Sequence, residues 1–129
     1  MPAKAVYEYA LIRVVPRVER GECLNVGVIV YCKDARFLDV RYEIDPARVA
    51  AFAPGLDLAE IRRYLQVWDH ICQGEAAGGP IARLTLPERF RWLTAARSTI
   101  IQASPVHPGL CADPQETLHR LFDRCVAWA

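Results

Sequence analysis

The sequence predicts one α+β domain over residues 1–129, built from an antiparallel three-stranded meander plus a fourth strand, with helices packed on one face. Three observations predict this class. Apolar residues alternate with period two over three successive segments, and the pattern then changes to helical spacing. A further apolar segment near residue 100 precedes a last amphipathic segment, so the predicted order is β-β-β-α-α-α-β-α.

The first three strands are predicted over 6–15, 24–32 and 37–44. Pro16 ends the first strand, and a charged turn that closes at Gly21 leads into the second. A short turn over 33–35 joins the second strand to the third. Because these connections are short, the three strands are expected to pair antiparallel.

The helices are predicted over 46–52, 57–74 and about 85–95, and from residue 113 onward. At each predicted helix start stands a residue whose side-chain oxygen can accept hydrogen bonds from the unpaired backbone N–H groups of the first helical turn. These capping residues are Asp45, Asp57, Thr85 and Asp113.

The fourth strand is predicted over 98–104, where Pro105 stops it. The opening order of elements is similar to the ribonuclease-H-like plan. That similarity implies that the fourth strand joins the sheet beside the first, and it carries no activity with it.

Composition excludes several classes of protein. The net charge is +1, from 16 Lys and Arg against 15 Asp and Glu, so the whole chain has no strong attraction for nucleic acid or anionic membranes. No apolar run is long enough for a membrane span, and the N-terminus lacks the apolar segment of a signal peptide. The 5 cysteines are scattered without a CxxC pair. These features predict a reduced, cytoplasmic protein.

One candidate site lies in the segment around the fourth strand. Arg97, Ser98, Gln102, Ser104 and His107 fall within eleven residues of one another. On an extended strand, both serines and the glutamine would share a face beside the arginine, where they could hold phosphate or carboxylate. A structural interpretation also fits: the arginine pairs with a carboxylate, the second serine caps a turn, and the histidine lies in a tight loop.

A second candidate site joins Arg13 and Arg17 to Asn25 on the following strand. If the loop between the first and second strands brings them together as neighbours, Arg13 and Asn25 share the face away from the predicted core. Gly27 interrupts a strong strand, which is typical of a bulge or of close approach by another backbone or a ligand.

Four aromatic residues are expected on the same face as Arg13: Tyr7, Tyr9, Tyr31 and Phe37. Aromatic rings beside arginine can stack nucleic-acid bases. A covering helix layer is the more frequent reason for such rings, the net charge is near zero, and no ribonucleoprotein-type motif is present. Nucleic acid is therefore disfavoured as a partner.

No metal or cofactor is predicted. His107 and Cys111 could supply two zinc ligands, but no second pair has usable spacing. The carboxylates Glu8, Asp39 and Asp45 make no convincing metal cluster. The chain also lacks a glycine-rich phosphate loop and a nucleophile elbow.

Runs over 7–22, 24–28, 88–93 and 97–109 resemble the DUF3037 family, a bacterial family without an established activity. They include Arg17-Val-Glu-Arg-Gly, Leu24-Asn-Val-Gly-Val and Glu88-Arg-Phe-Arg-Trp-Leu. The resemblance spans nearly the whole chain and supplies no catalytic residues. It implies a small stand-alone bacterial protein, and the neighbouring genes associated with such proteins imply a HipA-like, kinase-fold protein as partner.

Two functions follow from these observations. The first is an accessory or binding protein that engages a protein partner, of kinase-like fold, or an anionic small molecule. The alternative is an enzyme acting on a phosphate-containing or nucleic-acid substrate, with His107 as general acid or base and Arg97 stabilising charge. The enzyme requires both side chains to converge in one pocket. The residues leave open whether the chain is an enzyme, and its oligomeric state.

Overall fold

The computed structural model describes residues 4–127. The strands are β1 (Ala5–Val14), β2 (Leu24–Cys32), β3 (Phe37–Tyr42), β4 (Ile101–Ala103) and β5 (His107–Cys111). The α-helices are α1 (Pro46–Phe52), α2 (Leu58–Gln73), α3 (Leu86–Thr94) and α4 (Pro114–Cys125). Short 3-10 segments occupy Val18–Arg20 and Ala76–Arg83. None of the described helices combines the length and apolar character needed to cross a membrane.

The helix starts agree with the caps predicted from the sequence. The carboxylates of Asp45 and Asp57 each accept from two backbone N–H groups of the helix that follows, and that of Asp113 accepts from one. Thr85 and Glu88 form a reciprocal capping box at the start of α3. The local signals therefore define where the four helices begin.

All strand pairs in the sheet are antiparallel, in the order β3-β2-β1-β4, and β5 pairs with β1 as well. β4 lies against residues 12–14 of β1 and β5 against residues 5–9, so both share one edge of β1. The predicted α+β class and the placement of the fourth strand beside the first are confirmed.

The sheet has five strands where the sequence predicted four. The predicted strand 98–104 is reduced to Ile101–Ala103, and pairing resumes at His107. Pro105 has no N–H to donate, which ends β4, while the edge position of β5 tolerates Pro108. The composition of this segment is typical of a loop, which is why period-two alternation did not predict β5.

Helices cover both faces of the sheet, and the prediction of helices on one face is wrong. α2 and α3 pack on the face that carries Ile29 and Tyr31, whereas α4 packs on the face that carries Val28 and Val30. All four of these β2 residues are at most 5% exposed. Because β2 is apolar on both sides, each side needs its own helical cover.

A β-bulge at Val26 changes which side chains face which helix layer. Ile12 pairs with Gly27 and Arg13 pairs with Asn25, so Val26 is the extra residue. Beyond the bulge the alternation is inverted: Val26 belongs to the α2/α3 core, while Asn25 reaches the end of α4. The bulge thus brings Asn25 to the α4 face.

Glu8 interrupts the apolar face of β1, and the structure gives the reason. Its carboxylate accepts two hydrogen bonds from the guanidinium of Arg91 on α3, at 2.6 and 2.8 Å. This pair is partly exposed and contributes on the order of 1 kcal/mol or less, although its bidentate geometry fixes α3 against β1.

Gly27 should not tolerate a side chain. A Cβ atom there would lie 2.9 Å from the backbone oxygen of Arg41 and 3.1 Å from Ile12 Cδ1. We expect Gly27→Ala to lower the free energy of unfolding by about 1–3 kcal/mol, measured by urea denaturation. Adding Ile12→Val should not rescue stability, because the closest contact is backbone. A double variant as stable as the wild type would contradict the steric argument.

Candidate functional site

Three polar side chains lie side by side on three neighbouring strands. Arg13 on β1 pairs directly with Asn25 on β2 and with Gln102 on β4. Directly paired residues share a face, so the three form a row about 10 Å wide, two strand spacings across. The adjacency of Arg13 and Asn25 was predicted from the sequence, and the structure adds Gln102.

The two amide groups of the row are oriented by backbone carbonyls. Asn25 Nδ2 donates to the carbonyl oxygen of Cys125 at the end of α4, at 3.4 Å. Gln102 Nε2 donates to the carbonyl oxygen of Thr99, at 2.8 Å. Each NH2 group keeps one further N–H, and the side-chain oxygens Oδ1 and Oε1 remain available to accept.

The guanidinium of Arg13 has no partner in the described part of the chain. Its Nε is buried without a hydrogen-bond acceptor, and no carboxylate pairs with it. Arg89 also has a buried Nε without a partner, but its Nη1 donates to the carbonyls of Ile71 and Cys72. Leaving a buried donor unsatisfied costs about 1–3 kcal/mol, so Arg13 calls for a further explanation.

The row continues into an open strip on the α4 face of the sheet. We define the open strip as Tyr9, Leu11, Arg13, Gln102 and His107. α4 packs mainly over β2 and β3, which leaves this part of the face half-buried or exposed. Tyr9 pairs with His107, and their ring centroids are 5.5 Å apart. His107 therefore lies on the same face as Arg13, farther along β1.

Ser104 has a structural role at the junction of β4 and β5. It is 3% exposed, and its Oγ accepts from the backbone N–H of Leu11 at 2.8 Å. The same hydroxyl donates to the carbonyl of Pro105 at 2.9 Å. Both bonds are internal, so the hydroxyl holds the edge of the sheet together instead of facing a ligand.

Arg97 and Ser98 lie away from the open strip. The Arg97 guanidinium stacks on the Trp92 ring, with 4.1 Å from Cζ to the ring centroid, and donates to the carbonyls of Trp92 and Leu93. It thereby caps the C-terminal end of α3. Ser98 is exposed in the loop before β4. The expected alternation of Ser98 with Gln102 on one strand does not occur, because β4 begins at Ile101.

The enzyme alternative required Arg97 and His107 to share one hollow. Arg97 lies among residues of the α2/α3 side, whereas the His107 ring lies beside that of Tyr9, which belongs to the α4 side. The sheet separates the two side chains. The geometry therefore gives no support to a joint catalytic role for them.

Arg17 lies in a third environment. It is exposed and lines a cavity of about 500 Å³ between the Val18–Arg20 turn and the loop that follows α1, together with Arg20 and Phe52. Arg20 is paired with Glu22 in the same cavity. The predicted ligand residues thus fall into three groups, and only Arg13, Asn25, Gln102 and His107 share one face.

The aromatic side chains do not form a continuous stacking platform. Tyr9 pairs with Val30, which places it on the face opposite Tyr31. Tyr31 is 5% exposed and stacks on Phe90 of α3, at 5.3 Å between centroids. Of the four rings expected on the face of Arg13, Tyr31 therefore lies on the opposite face, where a helix covers it.

A groove of about 520 Å³ lies on the α2/α3 side, and we call it the aromatic groove. Its lining is mainly apolar and includes three aromatic rings. Three of its members are unusually exposed for their size: Tyr64 at 45%, Val67 at 40% and Trp92 at 40%. Arg97 is its one charged member. The full lining is Tyr64, Val67, Trp68, Trp92, Arg97, Thr99, Ile100 and Ile101.

The five cysteines are free thiols. Burial raises the pKa of the Cys72 and Cys111 thiols, which keeps them protonated and poorly nucleophilic at neutral pH. Within residues 4–127, no three His, Cys, Asp or Glu side chains lie close enough together to hold a metal ion.

The family model for DUF3037, described as proteins of unknown function, matches residues 9–126. The chain belongs to the DUF3037 family. The resemblance seen in the sequence is thereby confirmed over nearly the whole fold. No curated protein and no solved structure matches the chain.

Sequence reasoning missed the aromatic groove. A signal was present: Tyr64 and Val67 are three apart in α2 and fall outside its buried stripe, which includes Ile61, Leu65 and Trp68. A second apolar pair on the outer face of a helix is typical of a surface that contacts another molecule.

The two serines of the predicted site should respond differently to substitution. We expect Ser104→Ala to lower the free energy of unfolding by about 1–3 kcal/mol, because the Leu11 N–H loses its acceptor. Ser98→Ala, at an exposed position, should change it by less than about 0.5 kcal/mol. Urea denaturation compares them. Equal stabilities would show that Ser104 does not hold the sheet edge.

Proposed function

We propose that this chain is a small bacterial cytoplasmic binding protein that engages a partner protein through the aromatic groove. The observation that carries the proposal is the clustering of exposed Trp92, Tyr64 and Val67 beside a guanidinium. Tryptophan, tyrosine and arginine are the residues that most often dominate the energy of protein–protein interfaces.

The groove is suited to an apolar side chain with an acidic neighbour. Its walls are apolar rings and aliphatic groups, so a buried aliphatic or aromatic side chain of the partner would displace water from them. Arg97 brings the positive charge, and its stacking on Trp92 holds that charge at the groove. A carboxylate next to the inserted side chain would pair with it.

The family resemblance supports a HipA-like, kinase-fold protein as the partner. This identification rests on the neighbouring genes implied by the resemblance, and the groove supplies a surface on which such a protein could dock.

A second binding function, for an anionic group, has its support in Arg13. The Arg13 guanidinium pairs with no carboxylate among the described residues, and its two terminal nitrogens, unlike Nε, are not buried. A carboxylate or phosphate can accept two parallel hydrogen bonds from these terminal nitrogens.

Replacing Trp92 tests the docking proposal. Isothermal titration of the chain with the neighbouring kinase-fold protein should give a specific complex. Trp92→Ala should weaken that complex by about tenfold or more, because a central aromatic anchor contributes at least 1–2 kcal/mol. Leu110→Ala is the matched control: Leu110 is 62% exposed on β5, away from the groove, and its loss should change affinity less than about twofold.

Absence of heat and of a complex with the wild-type chain would contradict the kinase-fold partner. A complex that Trp92→Ala leaves unchanged would contradict the groove as the docking surface. Circular dichroism of each variant shows whether the fold is retained.

A further inference from the structure

The row of Asn25, Arg13 and Gln102 presents hydrogen-bond donors and acceptors side by side. The Arg13 guanidinium and the two amide oxygens have no protein partner within residues 4–127. Arg13 supplies the donors of its guanidinium. Asn25 and Gln102, on either side of it, each supply an acceptor oxygen, and each NH2 group keeps one N–H besides the one donated to a backbone carbonyl. The row therefore alternates acceptor, cation and acceptor across three strands.

This alternation disfavours a bare anion. Phosphate or sulfate bound to Arg13 would bring no hydrogen-bond donor to the two amide oxygens. The ligand that satisfies the whole row carries a carboxylate for the guanidinium and an N–H group close beside it.

A peptide C-terminus has both groups on its last residue. The terminal carboxylate and the amide N–H flank a single Cα, a separation that fits within the spacing of about 4.8 Å between neighbouring strands. Capture of a terminal carboxylate by fixed donors is a recurrent mode of peptide recognition. Leu11, half-buried two residues along β1, offers an apolar contact for the last side chain.

We propose that the open strip, with Asn25, binds the C-terminal carboxylate of a peptide. Arg13 forms a bidentate pair with the carboxylate, and Asn25 or Gln102 accepts the terminal amide N–H. This inference rests on the proposed anionic-ligand function of Arg13 and is independent of the aromatic groove, which lies on the other side of the sheet.

The probe is acetyl-Gly-Gly-Leu as the free acid, followed by NMR in the ¹⁵N-labelled full chain. Its concentration rises to about 10 mM, where a 1 mM site is mostly occupied. The acid should produce saturating shifts at the Arg13 Nε–H and at the side-chain amides of Asn25 and Gln102. The same peptide with a C-terminal amide should bind at least about tenfold more weakly, since it loses the charge-assisted pair.

Arg13→Lys and Arg13→Gln should each reduce binding of the acid about tenfold or more, because neither side chain offers the pair of coplanar, parallel N–H donors of a guanidinium. Arg17→Gln is the matched control, since Arg17 is exposed near the same end of β1 but lines a separate cavity. Its affinity for the acid should match that of the wild type. Dispersed spectra of the variants confirm folding.

Titrations with acetate and inorganic phosphate distinguish the peptide inference from the anionic-ligand function on which it rests. If either shifts the Arg13 signals with an affinity equal to that of the peptide acid, the anionic-ligand function stands and the peptide inference is overturned. If the amide binds as well as the acid, or Arg17→Gln weakens binding as much as Arg13→Gln, the peptide inference is also overturned. If acid, acetate and phosphate all leave the Arg13 signals unchanged, both proposals are wrong.

Discussion

The hydrogen bond from the backbone N–H of Leu11 to Ser104 Oγ closes the far edge of the sheet. At this point β4 gives way to β5, and Pro105 cannot donate to the ladder. The buried serine hydroxyl accepts from β1, while the Ser104 N–H donates to the Leu11 carbonyl. Because the junction is held here, Gln102 lies opposite Arg13 and His107 lies opposite Tyr9. The composition of the open strip depends on that register.

The sheet divides the molecule into two environments with different chemistry. On one side, α2 and α3 enclose the larger core and leave an aromatic groove between them and the segment before β4. On the other, α4 covers β2 and β3 and leaves part of β1 with its neighbours uncovered. Apolar rings collect on the first surface. The second carries the Arg13 guanidinium and the amide oxygens of Asn25 and Gln102, which have no hydrogen-bond partner among residues 4–127. Because the sheet lies between the two surfaces, the two proposed binding sites do not overlap.

The role of each arginine depends on where the fold places it. Arg91 is neutralised by Glu8, Arg89 donates to two helix carbonyls, and Arg97 caps α3 while stacking on Trp92. In these positions the planar guanidinium joins elements of the fold, which a lysine would do less well. Arg13 differs because its cross-strand neighbours are the side-chain amides of Asn25 and Gln102, and no carboxylate or backbone carbonyl among the described residues pairs with it. That difference is the reason why the proposed anion site is placed at Arg13.

The sequence by itself determined the α+β class, the first three strands, the four helix starts and the family, because alternation and capping are local signals carried by neighbouring residues. It also predicted that Arg13 and Asn25 share a face, although their direct pairing depends on the bulge, because without it Arg13 would lie opposite Val26. Only the tertiary structure decided that α4 covers the second face, that β5 forms, and that Arg97 and His107 lie on opposite sides of the sheet. These outcomes depend on contacts between residues far apart in the chain. The bulge at Val26 and the proline at 105 change the register and extent of strands by one or a few residues, and each such change moves side chains to another face or another partner.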